Sequence, residues 1–449
     1  MTTSEYILNI SHEYSTYVME SRAIPSITDG LKQSQRIALW LMKDQVKPVK
    51  TAGVVGHMMS SGLYVHGDAS AGDALSRLAA PYLNNYPLLQ GEGAFGTRTS
   101  PVDGIGAPRY TEIRRSKLAE QELYIDIDIC PMCDNYDGSK QMPRNFLPRL
   151  PLVLLNGIRG IAVGFATNIL PRNIDDLRTA VSEVLTDGEV TSRVLPYYTM
   201  NGCEIIPDHS KPNRYYIRGI VDIVNTTTVR ITEIPPSMSL STVVARLIEL
   251  EQTGGIKSFV DNSTDGIDIM VKFARKDLEG MTRDKLLVLF KIITSETENL
   301  TVLGPSGDHV IKYHSAQDLI TDFVNWRLSL YVQRYEWMIQ QENVVVDYER
   351  CFLSCFDPVG DSPPVAESIN DIETRKDLTH RVEQSILAKS LSLDKSVVDK
   401  IVNLPVYRFT KEGKVGAEQK LKTALSALTK YSKIVKSPKR LKSVYLKEI

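Results

Sequence analysis

Apolar residues recur about every 3.6 positions in "SEYILNISHEYSTYVMESRAI". Pro25 and Gly30 break the run, and the same period resumes in "LKQSQRIALWLMKDQ". This predicts helix, turn and helix over residues 1 to 45. Two shorter helices follow, "TAGVVGHMMSSG" and "DASAGDALSRLAAPY", joined by "SSGLYVHG", with Asp68 as the N-cap of the second and Pro81 closing it. Small residues line that second helix and permit close approach to a groove, the pattern of a helix-turn-helix, although many helical pairs share it.

From about residue 202 to 312 the period changes to two. "RYYIRGIVDIV" and "TTTVRITEI" read as strands, "STVVARLIELEQ" as a helix and "GIDIMVKFA" as a further strand, which makes a separate α+β domain. The segment "SAQDLITDFVNWRLSLYVQRYEWMIQQENVVVDYERCFLSCF" then contains neither Pro nor Gly, and Ile320, Phe323, Val324, Tyr331, Tyr335 and Met338 share one stripe. As one helix it extends about 60 Å, at about 1.5 Å per residue. Leu421, Leu425 and Leu428 in the Lys-rich "AEQKLKTALSALTKYSKIVK" supply a returning arm, so the pattern predicts an antiparallel stalk with a helical tip. The lysines read as its solvated face.

A chain of 449 residues exceeds what one core fills, in keeping with several domains. No run reaches the roughly 18 to 20 uncharged apolar residues of a membrane helix, and the polar start "MTTSEYILNIS" has no signal-peptide pattern, so a cytoplasmic location is expected. The net charge of -1 argues against a generally basic coat, and any DNA site has to be concentrated in a groove. Five cysteines form no disulfide framework. The spacings of Cys130 with Cys133 and of Cys351 with Cys355 make a four-thiolate zinc site conceivable, but buried thiols are the favoured reading.

The glycines of "GEGAFGTRTSPVDGIGAPRYTEIRRSKL" spell G-x-G-x-x-G at residues 91 to 96. A dinucleotide fingerprint requires a helix to begin inside the motif, and Pro101, Gly104 and Gly106 forbid one. The sequence contains no G-x-x-x-x-G-K-[ST], so any ATP belongs to another chain. The glycines instead let a loop pass close to something bulky or polyanionic. Tyr110 is the better chemical candidate. A phosphodiester attacked by a phenol yields an ester of similar energy, and Arg109 places a cation beside the developing charge. An Arg-Tyr dipeptide alone carries little weight.

In order along the chain, "SRAIPSITDGLKQSQRIALW", "LYVHGDASAGDAL", "LLQGEGAFGTRTSPVDGIGAPRYTEIRRSKL", "DNYDGS", "LPRLPLVLLNGIRGIAVGFATNILPRN" and "ITEIPP" resemble the breakage-reunion subunit of type II DNA topoisomerases, the group that holds gyrase A and its topoisomerase IV counterpart. The resemblance implies an α+β multidomain fold. Residues 1 to 150 form a winged-helix (helix-turn-helix) DNA-cleavage domain, 151 to 315 an α/β tower, and 316 to 449 a coiled-coil stalk with a helical C-gate tip that dimerises. In extent the chain is similar to bacteriophage members of the family, without the gyrase β-pinwheel; a bacterial gyrase A cut at its C-terminal domain is the alternative.

By the same resemblance Tyr110 is the nucleophile that becomes linked to a DNA 5′ phosphate, Arg109 its neighbouring cation, and Arg22 an arginine that reaches into the partner protomer's site. Lys32 and Arg36 belong to a DNA-gripping helix, His66 lies beside the scissile phosphate, and Ile161 is the wedge that opens a base step. Two departures stand out. Ile37 replaces a second basic residue after Arg36, and Ala69 stands where a drug-anchoring Ser is usual, although Ser70 is adjacent and Asp73, the other usual anchor, is present. The resemblance further implies duplex DNA and a second copy of the chain as partners, with Mg²⁺ and ATP handled by separate ATPase and TOPRIM-type metal-binding subunits. Asp126 and Asp128 in "YIDIDI" are expected near DNA or solvent rather than on a metal. A catalytically idle DNA-binding scaffold of the same fold is the alternative function.

Overall fold

The computed structural model describes residues 18 to 100 and 104 to 449. Most of the first predicted helix lies outside them; its end, Met19–Ala23, is a single wide helical turn. The chain divides into two units, one reaching Arg327 and the other covering Leu328–Glu448.

In the first unit, helices Gln33–Leu41, Thr51–Ser60 and Asp68–Ala79 accompany a three-stranded sheet in which Glu112–Arg115 lies between Val49–Lys50 and Leu89–Glu92. Ile113 pairs with Val49 on one side and Gly91 on the other and is fully buried. The expected cap at Asp68 is displaced by one residue. Gly67 is the N-cap, and the Asp68 carboxylate sits in the first turn, where it accepts from Ala69 N at 2.8 Å and faces the positive end of the helix dipole.

A four-stranded antiparallel sheet orders Ile220–Asn225, Thr228–Glu233, Ile269–Lys272 and Ser258–Asp261. Val229, Ile231, Ile269 and Val271 form its apolar core with Val243 and Leu247 of helix Leu240–Gln252 and with Leu286 and Phe290 of helix Arg283–Phe290. Ser239 and Thr282 cap these helices through their side-chain oxygens. The predicted strand "RYYIRGIVDIV" is two strands. Arg214–Arg218 belongs to a different, three-stranded sheet, and the break falls at Gly219, where a Cβ would lie 2.7 Å from Glu233 O.

Asp126 also departs from expectation. It is buried in an ion pair with the fully buried Arg327, next to a short 3₁₀ turn at Ile127–Ile129, whereas Asp128 is exposed. Two charges this deep are stable only when paired.

Helix Ala316–Ser354 has no break, as the absence of Pro and Gly predicts, and continues into the second unit. There it runs antiparallel to helix Lys411–Val435: Tyr335 meets Tyr431 with ring centroids 5.6 Å apart, and Glu349 meets Lys420 at 3.8 Å. The predicted leucine seam holds in part, with Leu421 and Leu428 half-buried. The returning helix buries Ala417 and Ala424 and leaves Leu425 exposed, so the buried face follows the heptad that leads on to Tyr431. Phe352, in the last turn of the long helix, forms a core with Cys355, Val382, Ile386, Ile401 and Phe409.

Cys351 and Cys355 are buried in this second core, and Cys130 is buried in the first unit, where burial pushes its thiol up to about 12. Among the described residues no three His, Cys, Asp or Glu side chains are grouped to hold a metal ion, and no helix is long and apolar enough to cross a membrane.

Candidate active site

Tyr110 stands at the end of a turn, immediately before the central strand Glu112–Arg115. The backbone on both sides is fixed to the first turn of helix Thr51–Ser60. Thr51 N donates to Thr111 O at 3.0 Å, Ala52 N donates to Pro108 O at 3.0 Å, and the buried Thr111 hydroxyl donates to Thr51 Oγ1 at 2.8 Å. The Tyr110 side chain is 72% exposed. A rigid base with a solvent-facing phenol suits a group that must meet an external ligand.

The glycine-rich loop serves as the support for this turn. Gly96 N bonds Gly104 O at 3.2 Å, and Gly106 N bonds Ala94 O at 2.9 Å, which folds the loop back toward Tyr110. Gly93 requires φ of +104°, and a Cβ at Gly91 would lie 2.4 Å from the Phe95 ring. The exposed Arg109 guanidinium lies 5.6 Å from the centroid of the Tyr110 ring. Within the stretch, the glycines shape the loop beside the turn that presents Tyr110 to solvent.

Arg22, His66 and Ser70 come together elsewhere, in a cavity of about 430 Å³ that Gln33, Tyr64 and Tyr136 also line. The His66 ring meets Tyr64 edge-on at 5.3 Å, and Tyr64 Oη bonds Ser70 Oγ at 3.1 Å. Burial, and then the positive charge of Arg22, lowers the His66 pKa, so the imidazole is neutral at neutral pH. Neither Tyr110 nor Arg109 lines this cavity. One chain thus presents the two groups of residues separately.

The remaining expected residues fall in distinct settings. Lys32 is half-buried and donates to Arg159 O at 2.8 Å; burial and the nearby Arg77 lower its pKa. Arg36 is buried, with Nε at 2.6 Å and Nη2 at 2.9 Å from the Asp29 carboxylate and Nη2 at 3.0 Å from Leu31 O. It braces the "TDGLK" turn, a different task from the phosphate grip expected of it. Asp29, which also accepts from Phe146 N at 2.9 Å, gave no periodic signal in the sequence. Asp73 pairs with Arg77 at 2.8 Å, and Ala69 is exposed one position before Ser70.

Ile161 is 86% exposed, at the end of a hairpin formed by Ile158–Ile161 and Ala166–Ile169. Val163 and Phe165, in and beside the connection, are exposed as well. Gly160 lets this hairpin lie directly against the segment that carries Arg22, since a Cβ there would sit 1.8 Å from Ala23 O. At its base a fully buried pair, Arg172 and Glu298 at 2.7 Å, holds the strand end, where Glu298 also accepts from Leu170 N at 2.8 Å.

The family resemblance carried by these motifs agrees with the comparisons with known proteins. The chain belongs to the DNA gyrase/topoisomerase IV A-subunit family, whose family model matches residues 22–449. It is 31% identical to the DNA topoisomerase medium subunit of Enterobacteria phage T4, over 89% of this chain and 88% of that one. It is also 32% identical to the DNA gyrase A-subunit of Mycolicibacterium smegmatis over 74% of this chain, and 34% identical to DNA topoisomerase 2-alpha of Gallus gallus over 71%. The matched regions cover 42% and 21% of those two longer proteins.

Proposed function

We propose that this chain is the DNA-cleaving subunit of an ATP-dependent type II DNA topoisomerase, acting as a homodimer. In this reading the helices and sheet around Tyr110 are a winged-helix cleavage domain, the four-stranded sheet and the three-stranded sheet that holds Arg214–Arg218 a tower, and the antiparallel arms the coiled-coil stalk of a lower gate. The observation that carries the reading is the split site. Tyr110 and Arg109 are exposed on one rigid support, and Arg22 and His66 line a separate cavity, so two copies of the chain complete two sites.

In each site the Tyr110 oxygen attacks a backbone phosphorus in line with the 3′ oxygen. The P–O3′ bond breaks, the phenolic proton is lost, the leaving oxygen gains a proton, and the phosphate remains as a 5′ phosphotyrosyl ester. Reversal rejoins the strand without external energy, because the two esters are of similar energy. Arg109 from one copy and Arg22 from the other stabilise the charge that builds on the phosphate oxygens. His66, neutral, can hydrogen-bond a phosphate oxygen. A second duplex passes through the paired breaks.

Among the described residues no three His, Cys, Asp or Glu side chains are grouped, and the sequence contains no G-x-x-x-x-G-K-[ST]. We assign Mg²⁺ binding and ATP hydrolysis to separate TOPRIM-type and ATPase subunits. The purified chain is therefore expected to dimerise and bind duplex DNA in a salt-sensitive way while hydrolysing no ATP. Cleavage should appear only after those subunits and Mg²⁺ are added. ATP hydrolysis by the pure chain at a usual enzymatic rate would contradict this division.

Ile161 is assigned to wedging open a base step, which costs a few kcal/mol and is offset by the wider contact that bent DNA allows. Ile161→Ala removes an apolar contact worth about 1 to 3 kcal/mol. Bending, read as energy transfer between dyes at the ends of a short duplex, should fall more than affinity does at one fixed salt concentration. Because the side chain is exposed, the melting temperature should hold; an unchanged bend would remove the wedge from the mechanism.

A further inference from the structure

We propose that Arg98 is a positioning residue for DNA cleavage, latching the loop that supports Tyr110 to the core of the four-stranded sheet. The inference rests on the reading of Tyr110 as the nucleophile. Arg98 Nη1 donates to Met238 O at 3.0 Å, and Nη2 donates to Ile234 O at 3.1 Å and Pro235 O at 2.8 Å. These carbonyls lie on the connection from strand Thr228–Glu233 to helix Leu240–Gln252, and Ile234 is fully buried in the core beneath. The neighbouring Thr99 hydroxyl donates to Thr264 O, on the connection between the other two strands of the same sheet.

From this anchor a chain of short bonds leads to the tyrosine. Thr97 N bonds Ser100 O at 3.1 Å and Ser100 N bonds Thr97 Oγ1 at 3.0 Å, closing the turn that carries Arg98. The bonds from Gly96 to Gly104 and from Gly106 to Ala94 come next, and Tyr110 N then bonds Ala107 O at 2.8 Å. The guanidinium is partly withdrawn from water, and burial lowers its pKa, opposed by the Glu233 carboxylate. A planar fork can reach these carbonyls together, which a lysine ammonium cannot do. Arg98 thus holds the angle of the nucleophile without itself touching DNA.

The test uses the complete enzyme, with its ATPase and metal-binding subunits and Mg²⁺, quenched by detergent. Adduct formation is followed in a single turnover across DNA concentrations for Arg98→Ala, Arg98→Lys and Thr99→Val. A misplacement of about 1 Å costs about 100-fold in rate, so Arg98→Ala should lower the cleavage rate by about 10- to 100-fold. The DNA concentration at half-saturation should stay within about twofold. Thr99→Val should give a smaller loss of the same kind, and Arg98→Lys should not restore the rate. A normal rate in Arg98→Ala, full rescue by Lys, or a rate loss matched by equal losses of DNA affinity and melting temperature would each overturn the latch. Failure of the unaltered enzyme to form adducts would instead overturn the nucleophile reading, and the latch with it.

Discussion

Tyr110→Phe should eliminate DNA cleavage and relaxation while leaving duplex binding nearly intact. The substitution removes one hydroxyl and no charge, and the ring is 72% exposed, so no core contact is lost. The turn is held by backbone bonds and by Thr111, none of which involves the phenol oxygen. Loss of the attacking atom should cost at least about 10³-fold in cleavage, the scale seen when an essential nucleophile is removed. Relaxation of supercoiled plasmid by the complete enzyme, with filter binding at matched salt, checks both halves. Residual relaxation at a substantial rate would place the nucleophile elsewhere.

The largest expected effect on stability comes from Glu298→Ala. Arg172 and Glu298 have side chains 0% and 1% exposed, and the substitution strands the arginine in a dry interior, with only the Leu170, Pro171 and Val194 carbonyls left to it. Breaking one partner of such a pair costs about 3 to 5 kcal/mol. For a unit of this size that lowers the melting temperature by about 5 to 15 °C. Glu298→Gln keeps an oxygen acceptor for Leu170 N and should lose less. The pair sits at the base of the hairpin that carries Ile161, so DNA bending should weaken in the same order. Calorimetry of the three proteins reads the first effect, and a melting temperature unchanged in Glu298→Ala would show that the pair is not the brace its burial implies.

The sequence was most informative where one physical rule dominated. The long helix was legible because no Pro or Gly interrupts residues 316 to 354, and the sheet around Val229 and Ile231 because its strands alternate cleanly. On the returning arm the leucines mark only part of the stripe: Leu421 and Leu428 are half-buried beside the buried Ala417 and Ala424, which a scan for large apolar residues passes over, and Leu425 is exposed. The fate of charged residues was the least legible part. Arg36 and Asp126 look like solvent-facing groups in the sequence, and each is buried by a partner that no local pattern reveals: Asp29 seven residues earlier, and Arg327 far along the chain. Tyr110 could be singled out from its motif company, but the support beneath it depends on bonds among Ala94, Gly96, Gly104 and Gly106, which only the folded loop brings together.

The central claim is that Tyr110 forms the covalent bond to DNA, and peptide mapping of the trapped adduct tests it most directly. The complete enzyme is incubated with duplex DNA and Mg²⁺, denatured with detergent, and digested with nuclease and protease, and the modified peptide is sequenced by mass spectrometry. A nucleotide joined through its 5′ phosphate to Tyr110, within the peptide that begins after Arg109, is the expected result. A nucleotide on any other residue, or DNA that binds but leaves no adduct under conditions that support relaxation, would contradict it.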